Sequence, residues 1–319
     1  MGIQLGPPRA AAPELSIVVV FFDMAREGPR TLLSLVPPYQ RGLEGLDYEI
    51  IGIEHGSRRP LVVPDLPELR QRLRLIHLPE APVSPVRAIN AAVREQCRGR
   101  YVMICIDGAR IASSHLVCQS LAACRGLRRP LVLSLAWHLG PEVQSQSVPK
   151  GYSREREDAL LAGIGWPAQP DRLFEIAVFA GSSLSGYFRP ISESNAFTLE
   201  RDAFLASGGY QEAFVSPGGG LANLEVLTRL VAAHAGGIVT LIGDGTFHQH
   251  HGGAATSHQG YFEAAQPEHR AIVGRDYAVA PYPTWHSARL VPAAHPFFVA
   301  SVEMARPPAP PAAPGPGTD

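Results

Sequence analysis

Apolar positions in this chain fall into short unbroken runs separated by amphipathic stretches. The first run, Leu15 to Phe22 (LSIVVVFF), is almost wholly apolar and largely β-branched. That pattern predicts a strand buried on both faces. Pro29 then suits the first turn of a helix through Thr31, Leu32, Leu33 and Leu35. Asp47 to Glu54 and Leu73 to His77 read as the next two strands, and Pro85 to Arg94 as a helix with Val86, Ile89 and Val93 on one side. The run Tyr101 to Ile106 (YVMICI) stops at Asp107-Gly108. It reads as a buried central strand with its carboxylate at the carboxyl edge, where open α/β sheets bind ligands. A carboxylate there can hold a metal ion or a ribose hydroxyl; it can equally start a turn, with Gly108 giving the backbone its freedom.

The second half continues the alternation less regularly. A helix is expected near His115 to Cys124, a strand over Leu131 to Trp137, and a short strand or helix over Leu173 to Val178. Gly140 to Ala168 is polar and Pro/Gly-punctuated, a lid or specificity segment with a helix around Arg154 to Leu161. The polar cluster Ser192-Glu193-Ser194-Asn195 precedes a strand, Ala196 to Leu199, and a short helix, Asp202 to Ser207, closed by Gly208-Gly209. A glycine-rich turn, Phe214 to Gly220, opens a helix from Leu221 to His234. Ile238 to Ile242 is expected to be the last strand, leading into a histidine-rich segment that ends at Gly252-Gly253. The order predicts an α/β fold: a mostly parallel sheet with right-handed crossovers, flanked by helices.

Composition narrows the function. A formal net charge of −1 gives no general attraction to nucleic acid or anionic lipid. Four cysteines (Cys97, Cys105, Cys118, Cys124) show no metal-finger spacing and fit a reducing, cytoplasmic setting. No apolar run approaches the roughly 20 residues of a transmembrane helix, and the start of the chain has no signal-peptide pattern. Residues 1–13 and 304–319 are rich in Pro, Ala and Gly and are expected to be a disordered arm and tail around one domain, 14–303. G-x-G-x-x-G, P-loop and G-x-S-x-G sequences are missing, which disfavours nicotinamide or flavin binding, P-loop chemistry and the serine-hydrolase elbow.

Five segments in order resemble the family 2 (family A) nucleotide-sugar glycosyltransferases of the GT-A fold, a Rossmann-like arrangement. SIVVVFF is similar to that family's opening strand, and Ile53-Glu54-His55-Gly56-Ser57 to its V-D-D-G-S segment. Arg87-Ala88-Ile89-Asn90 with Gly99-Arg100-Tyr101-Val102 resembles A-R-N-x-G and G-E-Y-V. Ile106-Asp107-Gly108 falls where D-x-D belongs, and Gly208 to Phe214 resembles G-G-F-D-E-x-F. A subgroup with D-G-A-R and F-H-Q-x-H-G-G segments is similar over Asp107 to Arg110 and Phe247 to Gly253.

The resemblance implies a nucleotide-binding half, 14–137, and an acceptor or lid half, 138–303. It implies transfer of a sugar, with inversion, from a nucleoside-diphosphate donor (UDP type favoured) to an acceptor hydroxyl on a glycan, lipid or small molecule. Phe22 and Asp23 would edge the base, Glu54 would accept from uracil or ribose, and Ser57 would be a nearby polar contact. Arg87 and Asn90 share a helix face, from which Arg87 could pair with phosphate oxygens, and Asp107 would hold Mn2+ or Mg2+, or the ribose.

The departures shape the chemistry. The family's second Asp is Ala109 here, beside Arg110, a cation able to replace the metal. His248 and His251 are the candidates to complete a metal site. In an extended segment they would face opposite sides, so that only one could bind; a turn before Gly252 could bring both inward. A ligating histidine predicts that binding falls below about pH 6.5. The family's acidic pair is replaced around Asn223, leaving Glu225 (slightly favoured) and Glu193 as candidate general bases. The rival readings are a catalytically silent module that binds nucleotide sugar or glycan, and a metallohydrolase, which lacks further Asp/His ligands at other strand ends.

Overall fold

The computed structural model describes residues 2–4, 12–252 and 260–307. Its strands are β1 (Gly2–Gln4), β2 (Leu15–Phe21), β3 (Tyr48–His55), β4 (Leu73–Leu78), β5 (Tyr101–Cys105), β6 (Arg110–Ala112), β7 (Leu131–Leu139), β8 (Ala177–Phe179), β9 (Phe197–Glu200), β10 (Ile238–His248) and β11 (Trp285–Ala288). Its helices are α1 (Glu27–Ser34), α2 (Pro67–Arg72), α3 (Val86–Glu95), α4 (Leu116–Gly126), α5 (Gln144–Ser147), α6 (Arg154–Gly163), α7 (Arg201–Ala206), α8 (Ala222–Ala233), α9 (Tyr261–Val273) and α10 (His295–Ala305).

The strands form one mixed sheet in the order β1-β4-β3-β2-β5-β9-β7-β10-β11, with β6 on β10 and β8 on β7. The block β4-β3-β2-β5 is parallel, as are β7-β10-β11. Between the blocks β9 runs antiparallel to both β5 and β7. Sequence pattern located β9 but not its direction, because a short buried strand has the same composition either way. Gly2–Gln4, within the expected arm, lies antiparallel along β4. The α10 helix reaches Ala305, so the expected tail begins later than 304. Residues 308–319 of that tail and Gly253 lie outside the described residues.

Every residue of β2 is buried, as an all-apolar run requires. One apolar core packs α3, α7 and α8 on one face of the sheet; another packs α1, α2 and α4 on the opposite face. The helices thus flank a sheet whose strand ends stay free for a site.

β10 corrects the sequence reading most. It runs to His248, well past Ile242, and carries Gly243-Asp244-Gly245 as a bulge, with a register shift between Thr240 and Gly245. In sequence the strand is expected to end before those three residues. Arg289 and Ser113 pair with the Asp244 carboxylate, so the fold satisfies the acid inside the sheet. β11 then follows β10, which is therefore not the last strand.

Candidate functional site

Side chains alternate between the faces of a strand, and this builds a polar row out of apolar strands. At the carboxyl ends of β7 and β10, Trp137 pairs with Phe247 and His138 with His248. Trp137 stacks on Phe247 and Phe179, with centroids 5.4 and 5.7 Å away, and fixes the register from the apolar face. The histidines consequently share the other face, rings 5.3 Å apart. On the far side of His248, β6 contributes Arg110 in register.

Asp107 follows the end of β5 and meets this row. Its Oδ1 accepts the Ala109 N–H at 3.0 Å, which tightens the turn into β6. Gly108 is required there: a Cβ would lie 2.4 Å from the Val20 carbonyl oxygen. Oδ2 lies 3.1 Å from His248 Nε2 and 3.1 Å from Arg110 Nε, while Oδ1 is 3.9 Å from His251 Nε2. The chain turns after His248, so both histidines reach the same carboxylate; the two faces of an extended segment do not apply. Ligand atoms of Asp107, His248 and His251 lie within 4.8 Å of one another. One carboxylate and two imidazoles form a mixed donor set that fits Mn2+ better than Mg2+.

Burial opposes the charge on Asp107, but His248 and Arg110 outweigh it and hold the carboxyl well below its usual range. Burial also pulls the His248 imidazole down to about 4, against the attraction of Asp107. The imidazole is therefore neutral near pH 7 and able to ligate. Arg110 is mostly buried, and its Nη1 makes no hydrogen bond among the described residues. A buried guanidinium with a spare donor suits a phosphate oxygen.

Several residues that hold this cluster escaped the sequence reading. Gln144, fully buried in α5, meets His248 Nδ1 through Oε1 at 2.6 Å and donates from Nε2 to the His248 carbonyl at 3.0 Å. Glu157, from α6 in the expected lid, accepts the His250 N–H at 2.8 Å and the Tyr152 hydroxyl at 3.1 Å. Arg26, just before α1, donates to Glu157, and Arg154 donates to the His251 carbonyl at 2.9 Å. Gln144 and Glu157 carry no local signal, being single polar residues in polar stretches. An open cavity of about 290 Å³ lies beside the cluster, lined by Ser153, Arg154, Glu155, His250, His251 and Gly252.

The proposed base-edge residues gather at the ends of β2 and β3. Asp23 takes a left-handed backbone (φ 51°), its carboxylate accepting from Arg58 N–H at 2.7 Å and its N–H donating to Ser57 Oγ at 2.9 Å. Ser57 donates in turn to Glu54, whose other oxygen accepts the Leu61 N–H at 2.7 Å. Glu54 is buried and braces its own loop, while Phe22 beside it is 53% exposed.

Arg87 and Asn90 go elsewhere. Asn90 exchanges two hydrogen bonds with the Tyr210 backbone, at 2.8 and 2.9 Å, and donates to Glu212. Gly209 allows this, since a Cβ there would lie 2.4 Å from Asn90 Oδ1. Arg87 is largely exposed and lies 3.6 Å from Glu212. The Arg87 to Asn90 and Gly208 to Phe214 segments, both singled out in sequence, thus pack against each other.

The two candidate bases differ sharply. Glu225 is 3% exposed and engages Arg229 with both oxygens, at 2.5 and 3.0 Å. Arg229 also donates to the Ser207 and Gly209 carbonyls, so the pair ties α8 to the turn that closes α7. Glu193 is partly exposed and its described hydrogen bond, from Asn223 Nδ2 at 2.7 Å, ends on Oε1.

No family model matches the sequence, and no curated protein matches it. Among the described residues no helix is long and apolar enough to cross a membrane. Among solved structures, similar ones include S. aureus TarS, with TM-score 0.47, 10% identity, and coverage of 83% of this chain and 40% of that one. S. aureus TarS 1–349 gives 0.46 and 10%, and its complex with UDP gives 0.45 and 11%, each covering 83% of this chain and 67% of the other.

Proposed function

We propose that this protein is a GT-A-type glycosyltransferase that moves a sugar from a UDP-type donor to an acceptor hydroxyl with inversion. The observation that carries the reading is the convergence of Asp107, His248 and His251 beside Arg110, next to the loops after β2 and β3. The nucleotide would lie over Phe22, Asp23 and Ser57, with Glu54 reaching it through Ser57. Residues 14–137 would form the nucleotide half and 138–303 the acceptor half of one domain. The free thiols of the four cysteines fit a cytoplasmic setting.

Asp107, His248 and His251 would hold a divalent cation, which when bound neutralises charge on the leaving diphosphate. Arg110 supplies a fixed positive charge to the same oxygens. Glu193, partly exposed and hydrogen-bonded through Oε1, would be the base: its carboxylate would take the acceptor proton as the acceptor oxygen bonds to the anomeric carbon. The bond from that carbon to the diphosphate oxygen breaks, and its electron pair leaves on UDP. Glu225, tied to Arg229, would position the turn after α7.

A second reading, a binding module without turnover, is favoured by Ala109 in place of an acid and by the commitment of Glu225 to Arg229. Donor hydrolysis with Mn2+ and with EDTA separates the two. Release of sugar from UDP-sugar, lost in Glu193→Gln, supports the enzyme; UDP binding with no release from any UDP-sugar supports the module.

A further inference from the structure

His248 has two polar neighbours, and a neutral imidazole has one proton to give them. Oε1 of Gln144 lies 2.6 Å from Nδ1, and Asp107 Oδ2 lies 3.1 Å from Nε2. Both neighbours are acceptors. The Gln144 amide cannot be reversed, because its Nε2 donates to the carbonyls of His248 at 3.0 Å and Leu139 at 3.4 Å. Reversal would set an oxygen against two oxygens. The Gln144 backbone is fixed as well, its N–H donating to His138 Nδ1 at 2.9 Å. The residue is 0% exposed, so no water competes for the contact.

We propose that Gln144 is a positioning residue for a divalent cation: its side-chain carbonyl takes the Nδ1 proton of His248 and leaves Nε2 as a lone pair aimed at Asp107. The inference rests on the reading that Asp107 and His248 share a cation. It adds the reason why Nε2 ligates: two acceptors face each other across 3.1 Å, an arrangement that a cation between them relieves. A partner on the second nitrogen of a ligating histidine sets its tautomer and orientation, and loss of such a partner costs about 10- to 100-fold in metal affinity. The same residue ties the end of β7 to the end of β10, so the ligand and its orienting group come from one paired strand end.

The test uses the full chain and Mn2+ alone, with free Mn2+ read by its electron paramagnetic resonance signal. Gln144→Leu should weaken Mn2+ binding by about 10- to 100-fold. Gln144→Leu/His248→Ala should bind no more weakly than His248→Ala alone, a non-additivity that a general structural defect would not produce. If His248→Ala weakens Mn2+ but Gln144→Leu does not, the positioning role is overturned and the metal site stands. If neither His248→Ala nor Asp107→Asn changes Mn2+ affinity, the metal reading itself falls. Should Gln144→Leu not fold, nitrogen–proton correlation spectra of wild-type histidines decide instead. A proton on Nδ1 alone of His248 supports the proposal; a proton on Nε2 at neutral pH overturns it.

Discussion

His248 Nε2 lies 3.1 Å from Asp107 Oδ2, whereas His251 Nε2 lies 3.9 Å from Asp107 Oδ1. The nearer histidine belongs to β10 and is buried; the farther one sits in the turn beyond it. A ligand held by a strand needs less ordering than one held by a turn, so the two should not contribute equally. UDP affinity in the presence of Mn2+, measured by titration calorimetry, should fall most in Asp107→Asn, next in His248→Ala and least in His251→Ala. A larger loss in His251→Ala than in His248→Ala would contradict this ranking.

Protonation competes with ligation, and burial decides where. An ordinary histidine value of 6.5 sets the expectation that binding fades below that pH; burial moves His248 to about 4. Mn2+-dependent UDP binding should therefore persist below pH 6 and fade as pH approaches about 4 to 5. Stability without metal also falls on acidification, but starts to fall at higher pH. His248 and His138 both titrate below their ordinary value in the fold. The unfolded chain then takes up more protons once pH drops below 6.5, and stability is lost progressively toward pH 4. Urea unfolding across that window should show the decline, and His138→Asn/His248→Asn should lessen it.

The sequence made the strand runs and their order legible because each is a buried apolar segment with distinct stops. Asp107 was visible for the same reason, as the acid that ends β5. The direction of β9 was not visible, nor was the continuation of β10 through Gly243-Asp244-Gly245, where distant Ser113 and Arg289 satisfy the acid. Site residues divided similarly. His248 and His251 stand out as a cluster, but Gln144 and Glu157 matter only through partners about a hundred residues away. Asn90 stood out through its resemblance and Glu225 as an acid just after a glycine-rich turn; the partners each has in the fold, Tyr210 and Arg229, were not legible.

Glu193 and Glu225 should differ in what their removal changes. Glu225→Gln weakens a paired carboxylate in a buried setting and should cost about 1.5–3 kcal/mol of stability, the scale of hydrogen bonds to charged groups. Glu193→Gln should leave the melting temperature nearly unchanged while lowering kcat by about 100-fold or more. A folded Glu225→Gln protein with normal stability and lost turnover would reverse the assignment.

Glu54 and Asn90 offer a second contrast. Asn90→Ala strands the Tyr210 N–H and carbonyl and should cost about 1–3 kcal/mol, with UDP affinity of the folded fraction unchanged. Glu54→Ala frees Ser57 and the Leu61 N–H together, and it should weaken UDP binding by about 1.5–3 kcal/mol. Unchanged UDP affinity in a folded Glu54→Ala protein would remove Glu54 from the site.

The division of charge between metal and Arg110 is the sharpest test of the site. Asp107 contributes one negative charge and Arg110 one positive, and His248 is neutral near pH 7. The pair alone offers a diphosphate almost no net attraction. A divalent cation on Asp107 would make the cluster strongly positive, and Arg110, with a spare buried Nη1, would add a directed donor. The expected result is therefore dependence on both. Excess EDTA should weaken UDP binding by at least about tenfold, which is about 1.4 kcal/mol. Arg110→Ala should weaken it further when Mn2+ is present. Removing Arg110 also frees Asp107 from its cationic neighbour, so metal-only affinity should rise or hold in Arg110→Ala. If UDP binds equally in EDTA and Mn2+, and Arg110→Ala alone abolishes binding, the guanidinium replaces the cation and the histidines serve to hold Asp107 in place.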